Sequence, residues 1–328
     1  MAFKNILNIA RAMTGSGGID GFRDRAEAEL MKLTNLIPPG EHAVVRLNTT
    51  PPDGGVNKMV GTMPLGKKIK LIPVLLGAMN SVTQCADYMK DKLVPTQEHA
   101  DNAFFEQIKA LAQDQGALDI AYIRINEHEI FTQYAIPYRN ALVFTMPMDK
   151  KEIDKAPSFD TLIEVLSTYE YLGKVAIILT KFLRDQGYGA YPGFPIGGMI
   201  DYVRVAEQAG LGAIGYHGLL ISPEDGTRQR INNVYTNMEL EFAPENDHLW
   251  IRDFCSMCNK CVRECPPSAI YTDGEVNPIT GRKPTIDYDT CIDYFANNTG
   301  CAVCVKVCPF SQAGYDVIQT RFIGTRDS

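Results

Sequence analysis

The residues best suited to chemistry are concentrated in the last quarter of this chain. The 328-residue sequence contains nine cysteines, and eight of them lie after residue 250. They form two sets, each closed by a Cys-Pro pair: Cys255, Cys258, Cys261 and Cys265, then Cys291, Cys301, Cys304 and Cys308. Thiols at such short spacings in a non-exported chain indicate metal ligands rather than disulfides.

The spacing is that of a bacterial two-cluster ferredoxin. In this pattern a C-x-x-C-x-x-C loop surrounds one [4Fe–4S] cluster, while the cysteine before proline ligates the other cluster. The crossing assigns Cys255, Cys258, Cys261 and Cys308 to the first cluster, and Cys265, Cys291, Cys301 and Cys304 to the second. Zinc is the alternative, but zinc sites group cysteines in fours without a Cys-Pro crossing.

The second set contains an insertion. Nine residues, IDYFANNTG, separate Cys291 from Cys301, where two are usual in a ferredoxin. We interpret the insertion as a place where a neighbouring domain or a cofactor contacts the cluster. Because iron–sulfur clusters carry single electrons and do little bond chemistry alone, the preceding part of the chain should contain the group that uses the electrons.

Composition narrows the class of protein. The hydrophobic fraction of 45% and the charged fraction of 22% are ordinary for a globular protein. A net charge of −7 argues against nucleic acid as the main partner, because phosphate binding depends on Lys and Arg. The longest apolar run, Leu71–Met79, is too short for a membrane span, and the first residues show no export signal. These observations predict a cytoplasmic protein with no membrane span, in which the isolated Cys85 is a small core residue.

Periodicity predicts a three-part α+β organisation. Residues 1–100 form a helical region that is hard to assign, with amphipathic stretches at Phe22–Leu33 and Leu75–Lys92. Residues 101–245 contain a helix and strand, a buried strand at Asn140–Met148 and a long helix over 160–188. Residues 246–328 form the ferredoxin-like part.

A glycine-rich segment follows the long helix. Gly210, Gly212 and Gly215 formally match G-x-G-x-x-G, but a helix precedes them and a strand follows, the reverse of a dinucleotide-binding turn. Gly218 adds a fourth glycine within nine residues. We interpret the segment as bare backbone lying against a flat or bulky group.

Two segments carry a family resemblance. KFLRDQGYGA and AGLGAIGYHGLLISPEDGTRQRINNVYTNMEL, followed by both cysteine motifs, resemble the corrinoid-dependent reductive dehalogenases and the related epoxyqueuosine reductases. The resemblance implies a nitroreductase-like α/β domain that binds base-off cobalamin, followed by the ferredoxin-like domain with two [4Fe–4S] clusters. It further implies a small-molecule substrate, and electrons from a low-potential donor of the ferredoxin or flavodoxin type.

The resemblance also implies roles for individual residues. Tyr169 corresponds to the proton donor of the dehalogenases, with Tyr171 the next candidate in the same helix. Tyr216 occupies a position where the relatives have Arg or Lys, and we include it among the catalytic candidates. The residues implied to contact the corrinoid are Gly210, Gly212, Gly215, His217, Gly218, Leu219, Ser222, Arg228 and Arg230.

Two departures from the relatives bear on the reaction. With Tyr216 in place of Arg or Lys, this segment lacks a cation that could support a phenolate at Tyr169. The epoxyqueuosine reductases carry an acidic residue upstream of the glycine-rich segment. At the equivalent place this chain has Ile196 and Gly197, and Asp201 follows five residues after Ile196. The expected function is a corrinoid and iron–sulfur reductase that removes a substituent, with halide implied by kinship only. The alternatives are a corrinoid-reducing activator, an electron-transfer protein and an epoxyqueuosine-reductase-like enzyme.

Overall fold

The computed structural model describes residues 18–46, 55–241 and 245–324. The first residues, on which the prediction of no export signal rests, and the predicted domain boundary near residue 244 lie outside these ranges. The helices are α1 (Gly18–Leu30), α2 (Gly55–Thr62), α3 (Leu65–Tyr88), α4 (Asn102–Asp114), α5 (Lys150–Ile153), α6 (Phe159–Asp185), α7 (Tyr202–Gln208), α8 (Trp250–Cys258), α9 (Lys260–Arg263), α10 (Tyr288–Asn297), α11 (Val303–Val307), α12 (Pro309–Gln312) and α13 (Tyr315–Gly324). The strands are β1 (His99–Ala100), β2 (Ile120–Arg124), β3 (Asn140–Pro147), β4 (Ala190–Pro192), β5 (Ala213–Ile214), β6 (Leu220–Ile221), β7 (Gln229–Thr236) and β8 (Glu239–Leu240).

An antiparallel sheet with the strand order β2–β3–β7–β4 forms the centre of the fold. Strand β3 is buried along all but its last residue, as its nearly continuous apolar sequence predicts. Mixed helix and sheet is therefore the observed fold class. Two smaller pairs flank the sheet: β1 runs parallel to β8, and β5 and β6 form an antiparallel hairpin.

Helix α6 packs its apolar face on one side of this sheet. Ser158 caps the helix by accepting a hydrogen bond from the backbone N–H of Thr161. Leu172, Leu179 and other α6 side chains share a core with Leu142 and Phe144 of β3. The helix lies across the sheet, and its residues Val165 and Tyr169 lie close to the cysteine-rich part.

The N-terminal helices form a second core with the other face of the sheet, and α3 also packs closely along α6. Leu30 of α1 and Val82 and Cys85 of α3 share a core with Val143 and Tyr235. Cys85 is completely buried, as predicted for a small core residue. Helix α3 is long and apolar enough to cross a membrane, which the run Leu71–Met79 alone did not predict. Buried helices of soluble proteins also meet this criterion, and part of α3 is buried here.

An aromatic core holds the cysteine-rich part together. Trp250, Phe254 and Phe322 pack around Phe310 and Tyr315, with ring centroids 5.1–6.1 Å apart. Edge-to-face and offset contacts of this kind add to the stabilisation from burial. The helices α8, α12 and α13 are therefore held together by a core separate from that of the sheet.

The insertion between Cys291 and Cys301 forms most of helix α10. Its Phe295 and Ala296 pack against a cluster that includes Met59, Leu75 and Leu162. The insertion therefore contacts the N-terminal helices and the start of α6. A neighbouring part of the chain thus meets the insertion, and the predicted contact with the cluster itself stays a prediction.

Polar contacts also join the ferredoxin-like part to the preceding part of the chain that contains the central sheet, which we call the sheet domain (residues 99–241). The Arg282 guanidinium lies 2.7 Å from a carboxylate oxygen of Glu129 and 3.3 Å from Asp201. The hydroxyls of Thr227 and Ser311 are 2.7 Å apart and buried. The relative position of the two parts is thus set by specific contacts.

Candidate electron-transfer and catalytic site

The first cysteine group surrounds a cavity. Its lining consists of His217, Phe254, Cys255, Cys258, Asn259, Lys260, Cys261, Cys308, Pro309 and Phe310. The four cysteines are those that the crossing assigns to the first cluster. Among the described residues, no three His, Cys, Asp or Glu side chains are grouped as ligands of a single metal ion. The thiols instead line a shared space, which fits a cluster with one thiolate per iron.

Local backbone geometry produces this arrangement. Helix α8 ends at Asn259, which adopts a left-handed conformation with φ of 48° and donates its N–H to the Cys255 carbonyl. Short helix α9 then continues from Lys260, so the first three cysteines lie around one tight turn. Cys308 arrives from the far end of the sequence, immediately before the proline that begins α12.

The remaining four cysteines form the second group. Burial raises the pKa of Cys291, and the neighbouring thiols of Cys301 and Cys265 raise it further. The pKa of Cys304 is raised by burial and then by Cys301 and Cys291. Crowded thiols with raised pKa values cannot all ionise without cations beside them, which iron would supply. The donor set therefore fits a second [4Fe–4S] cluster.

An apolar cluster joins the second cysteine group to helix α6. Its buried members are Met148, Ile153, Val165 and Val305, and Tyr169, Leu219, Ala302 and Cys304 pack against them. Tyr169 of α6 and the cluster ligand Cys304 therefore contact the same small group of aliphatic side chains. The tertiary structure brings the predicted proton donor beside the predicted electron carrier.

Arg230 lies over the ring of Tyr169. The guanidinium carbon is 5.2 Å from the ring centroid, within the range of a cation–π contact. The Nε atom of Arg230 is buried and has no hydrogen-bond partner within the described ranges. A positive charge next to a phenol stabilises the phenolate form. A cation is thus present at the face of the Tyr169 ring, and it comes from β7 and not from the segment around Tyr216.

Asn232 extends this polar face of β7. Its side-chain amide donates to the carbonyl oxygens of Leu172 at 3.4 Å and Gly193 at 3.2 Å. Its Oδ1 atom is buried without a partner among the described residues. Because unpaired buried polar atoms are costly, Arg230 and Asn232 fit a polar ligand at this face.

The two other tyrosine candidates lie elsewhere. Tyr171 is 54% exposed, and the Lys174 ammonium lies 5.3 Å from its ring centroid. Tyr216 lies in the β5–β6 hairpin near Cys255: burial raises the pKa of that thiol, and the backbone of Tyr216 partly offsets the rise. The structure therefore groups neither of them with Tyr169.

The glycine segment is closely packed against the chain itself. A Cβ on Gly210 would lie 2.7 Å from the carbonyl oxygen of Glu245. On Gly212 it would overlap the carbonyl of Ile221, and on Gly218 the hydroxyl of Thr285. We interpreted these glycines as bare backbone facing a bulky group. At these three glycines, however, protein atoms fill the space that a Cβ would occupy. Their contact with a corrinoid stays a prediction.

His217 and Leu219 reach different cysteine groups from the same hairpin. Leu219 belongs to the apolar cluster around Cys304, whereas His217 lines the cavity of the first group. Burial lowers the pKa of His217 to about 4, so the ring is neutral. His217 therefore lines the cavity of the first cysteine group, whereas the resemblance implied a corrinoid contact for it.

Ser222 and Arg228 have structural partners. The Ser222 hydroxyl donates to Oε1 of Gln229 at 2.8 Å. Arg228 is paired with Asp225 at 2.8 Å and donates from Nε to the carbonyl of Ser311 at 3.3 Å. This turn holds the sheet domain on the ferredoxin-like part, and Arg230 alone of this polar set lies beside Tyr169.

The sequence contained a signal for Arg230 and Asn232 that the family resemblance did not use. Strand β7 reads QRINNVYT, and it contains one half-buried arginine and two buried asparagines. Such side chains are rarely buried without a specific partner. Alternation places Arg230 and Asn232 on one face of the strand, and the contact of each with α6 residues shows which face it is.

Three comparisons place this geometry among known proteins. Residues 254–312 match the family model for a 4Fe-4S dicluster domain. The tetrachloroethene reductive dehalogenase of Dehalobacter restrictus is 36% identical over 188 residues, which is 53% of this chain and 33% of that protein. The epoxyqueuosine reductase of Listeria monocytogenes is 33% identical over 125 residues, covering 36% of this chain and 31% of that protein.

A solved reductive dehalogenase, described as performing B12-dependent dehalogenation, superimposes with a TM-score of 0.67. It is 19% identical, and the match covers 94% of this chain and 50% of that one. The chain spans about one third of the length of the curated dehalogenase it matches. The predicted resemblance to reductive dehalogenases is confirmed by the sequence relatives, and the structural match shows the shared fold.

Proposed function

We propose, from the premise that this chain is a relative of the reductive dehalogenases, that it is a cobalamin- and iron–sulfur-dependent reductase. It would remove a substituent, with halide as the leaving group, from a small organic substrate. The observation that carries the proposal is the position of Tyr169. Its side chain shares an aliphatic wall with Cys304 and faces the guanidinium of Arg230.

The clusters and cobalamin would supply what the side chains cannot. When bound, two [4Fe–4S] clusters provide single electrons and a reduced base-off corrinoid provides a cobalt centre able to break a carbon–substituent bond. The residues that would hold the clusters are the two groups of four cysteines. Leu219, Arg230 and Asn232 would contact the corrinoid or substrate, since they lie around Tyr169 and two of them carry unpaired buried atoms. The classification of the sheet domain as nitroreductase-like belongs to the same proposal.

Tyr169 would deliver the proton to the carbon that loses its substituent. A phenol is a weak acid, so the transfer needs stabilisation of the phenolate that it leaves behind. Arg230 can provide this stabilisation because arginine stays charged at all working pH values. Tyr169 is partly buried, and the aliphatic side chains beside it limit its contact with water, which strengthens the interaction between guanidinium and phenolate.

A partner and a compartment complete the proposal. A low-potential donor of the ferredoxin or flavodoxin type would reduce the first cluster. A cytoplasmic location and the exclusion of nucleic acid as a partner stay predictions.

The test combines corrinoid binding with one substitution. The full chain, purified anaerobically and reconstituted with cobalamin, should give a bound corrinoid spectrum and turn over a halogenated probe compound. Tyr169→Phe should bind corrinoid equally well and lose turnover by roughly 10²–10⁴-fold, the usual effect of removing a positioned acid. Tyr171→Phe is the matched control, because it removes an exposed phenol from the same helix.

The outcomes separate the competing functions. Undiminished turnover in Tyr169→Phe would remove this residue from the reaction. If the wild type binds no corrinoid, the chain is an electron-transfer protein instead. A wild type that does not turn over substrate but reduces the cobalt of a partner would be an activator, and Tyr169→Phe should then leave that reduction intact.

A further inference from the structure

The β5–β6 hairpin inserts one imidazole into the wall of the first cysteine group. His217 is 5% exposed and lines the cavity together with Cys255, Cys258, Cys261 and Cys308. The mechanism proposed above gives this side chain no role. The inference that follows rests on that proposed function, specifically on a [4Fe–4S] cluster in this cavity.

The hydrogen bonding of His217 fixes its tautomer. The backbone N–H of Leu219 donates to Nδ1 of the ring at 3.1 Å. A ring nitrogen that accepts a hydrogen bond carries a lone pair and no proton, so the single proton of the imidazole is on Nε2. The ring is therefore a hydrogen-bond donor at Nε2.

This donor lacks an acceptor from the protein. No side chain or carbonyl in the described part of the chain accepts a hydrogen bond from Nε2. The ring lines a cavity whose walls include four thiols, so an acceptor in that cavity would satisfy the Nε2 donor. Sulfur atoms in the cavity wall are therefore the candidate acceptors for this proton.

Gly215 allows the ring to take this position. A Cβ at Gly215 would lie 2.9 Å from Cε1 and 3.3 Å from Nε2 of His217, so any larger residue would displace the ring. The hairpin is closed by a hydrogen bond from the Gly218 N–H to the Gly215 carbonyl at 2.9 Å. The orientation of His217 is thus built into the backbone of the hairpin.

We propose that His217 donates a hydrogen bond from Nε2 to a sulfur of the first cluster, either sulfide or cysteine thiolate, and raises its reduction potential. Reduction adds one negative charge to the cluster, and a donor to its sulfur stabilises the reduced form more than the oxidised form. The second group meets a wall of aliphatic side chains and Tyr169 instead. His217 therefore acts on the first cluster and leaves the second unchanged.

A redox titration followed by EPR tests the proposal on the anaerobically purified protein with both clusters. In His217→Phe the reduced-to-oxidised ratio of the first cluster at a fixed potential should fall about tenfold, which is about 59 mV for one electron. His217→Gln keeps an N–H donor and should shift the potential less. Gly215→Ala, which displaces the ring, should lower it in the same direction. The second cluster serves as the internal control in every sample.

Isotope labelling tests the same hydrogen bond without a substitution. The chain has five histidines, and His217 lines the cavity of the first group. Protein labelled with ¹⁵N-histidine should show a ¹⁵N coupling on the signal of the reduced first cluster in pulsed EPR. If His217→Phe fails to assemble, this wild-type measurement decides the question.

Two results would overturn the inference. One is an unchanged potential of the first cluster in a His217→Phe protein with full iron content. The other is an intact first-cluster signal in the labelled wild type with no histidine coupling. Both leave the proposed reductase standing, whereas a wild type with no first-cluster signal would remove the proposed function and this inference together.

Discussion

The two cysteine groups belong to the same sequence motif but have different surroundings. Around the first group lie aromatic rings, among them Phe254 and Phe310, and the imidazole of His217. Around the second lie apolar side chains of Met148, α5 and α6 and the ring of Tyr169. The first group is thus built into the ferredoxin-like part itself, with one polar group contributed by the sheet domain. The second lies in a core that both parts share.

This difference favours one direction of electron transfer through the molecule. Hydrogen bonds to sulfur and exposure to solvent set the potential of an iron–sulfur cluster, so unequal surroundings imply unequal clusters. The second group is the one whose neighbours include the candidate proton donor. We therefore expect the first cluster to receive electrons from outside, and the second to deliver them towards Tyr169.

The largest effect should come from exchanging the crossing cysteines. Cys308→Ser should remove the first cluster and leave the second, whereas Cys265→Ser should do the reverse. Each variant should lose about four of the roughly eight irons that two clusters contain. Iron analysis with EPR would check this, and loss of the second cluster in Cys308→Ser would refute the assignment of the crossing ligands.

Substitution of Arg230 should affect the reaction at Tyr169, beside the second cysteine group, and leave the first group unchanged. Arg230→Met removes the charge over Tyr169 and should lower turnover by about 10²–10³-fold, as loss of a buried electrostatic stabiliser does. Arg230→Lys should recover part of the rate, because it restores charge without the planar guanidinium. Steady-state kinetics measures the loss, and equal rates for all three proteins would show that the cation has no catalytic role.

Truncation of Ile153 should weaken the shared core. This side chain is completely buried beside the second group, and Ile153→Ala should lower the free energy of unfolding by about 2–5 kcal/mol. Denaturant unfolding of the anaerobic protein provides the measurement. Leu249→Ala, at an exposed position, should change the stability by less than about 0.5 kcal/mol. Comparable losses in both variants would contradict the shared core.

The smallest effect concerns the aromatic core near the first group. Trp250 donates from Nε1 to the Tyr315 hydroxyl at 3.1 Å, and that hydroxyl lies 2.7 Å from Nδ1 of His248. Tyr315 can therefore donate its own proton to a neutral His248. Burial lowers the pKa of His248 below its ordinary value of 6.5.

The sign of the pH dependence follows from this lowered pKa. Because the unfolded state binds the proton more readily, the stabilisation is complete above about pH 6.5 and is lost as the pH falls below it. The midpoint of thermal unfolding should decrease by a few degrees on acidification, and His248→Gln should decrease less. Parallel curves for the two proteins would contradict this role.

The α+β class, the buried strand β3 and the long helix α6 could be predicted because each depends on local periodicity. Helix α6 starts within one residue of the predicted position, since Ser158 caps it there. The packing of the glycines could not be predicted in the same way. A glycine indicates that a Cβ is excluded, but the sequence does not say whether a cofactor or the chain's own carbonyl excludes it.

By itself the sequence predicted the two sets of cluster ligands, because cysteine spacing and the Cys-Pro crossing reflect short-range chain geometry. Only the tertiary structure decided which residues join them. Arg230 approaches Tyr169 from a strand far along the chain, and His217 reaches Cys255 from a different domain. Such contacts depend on how a sheet, a helix and a hairpin pack together, and no local pattern in the sequence specifies that packing.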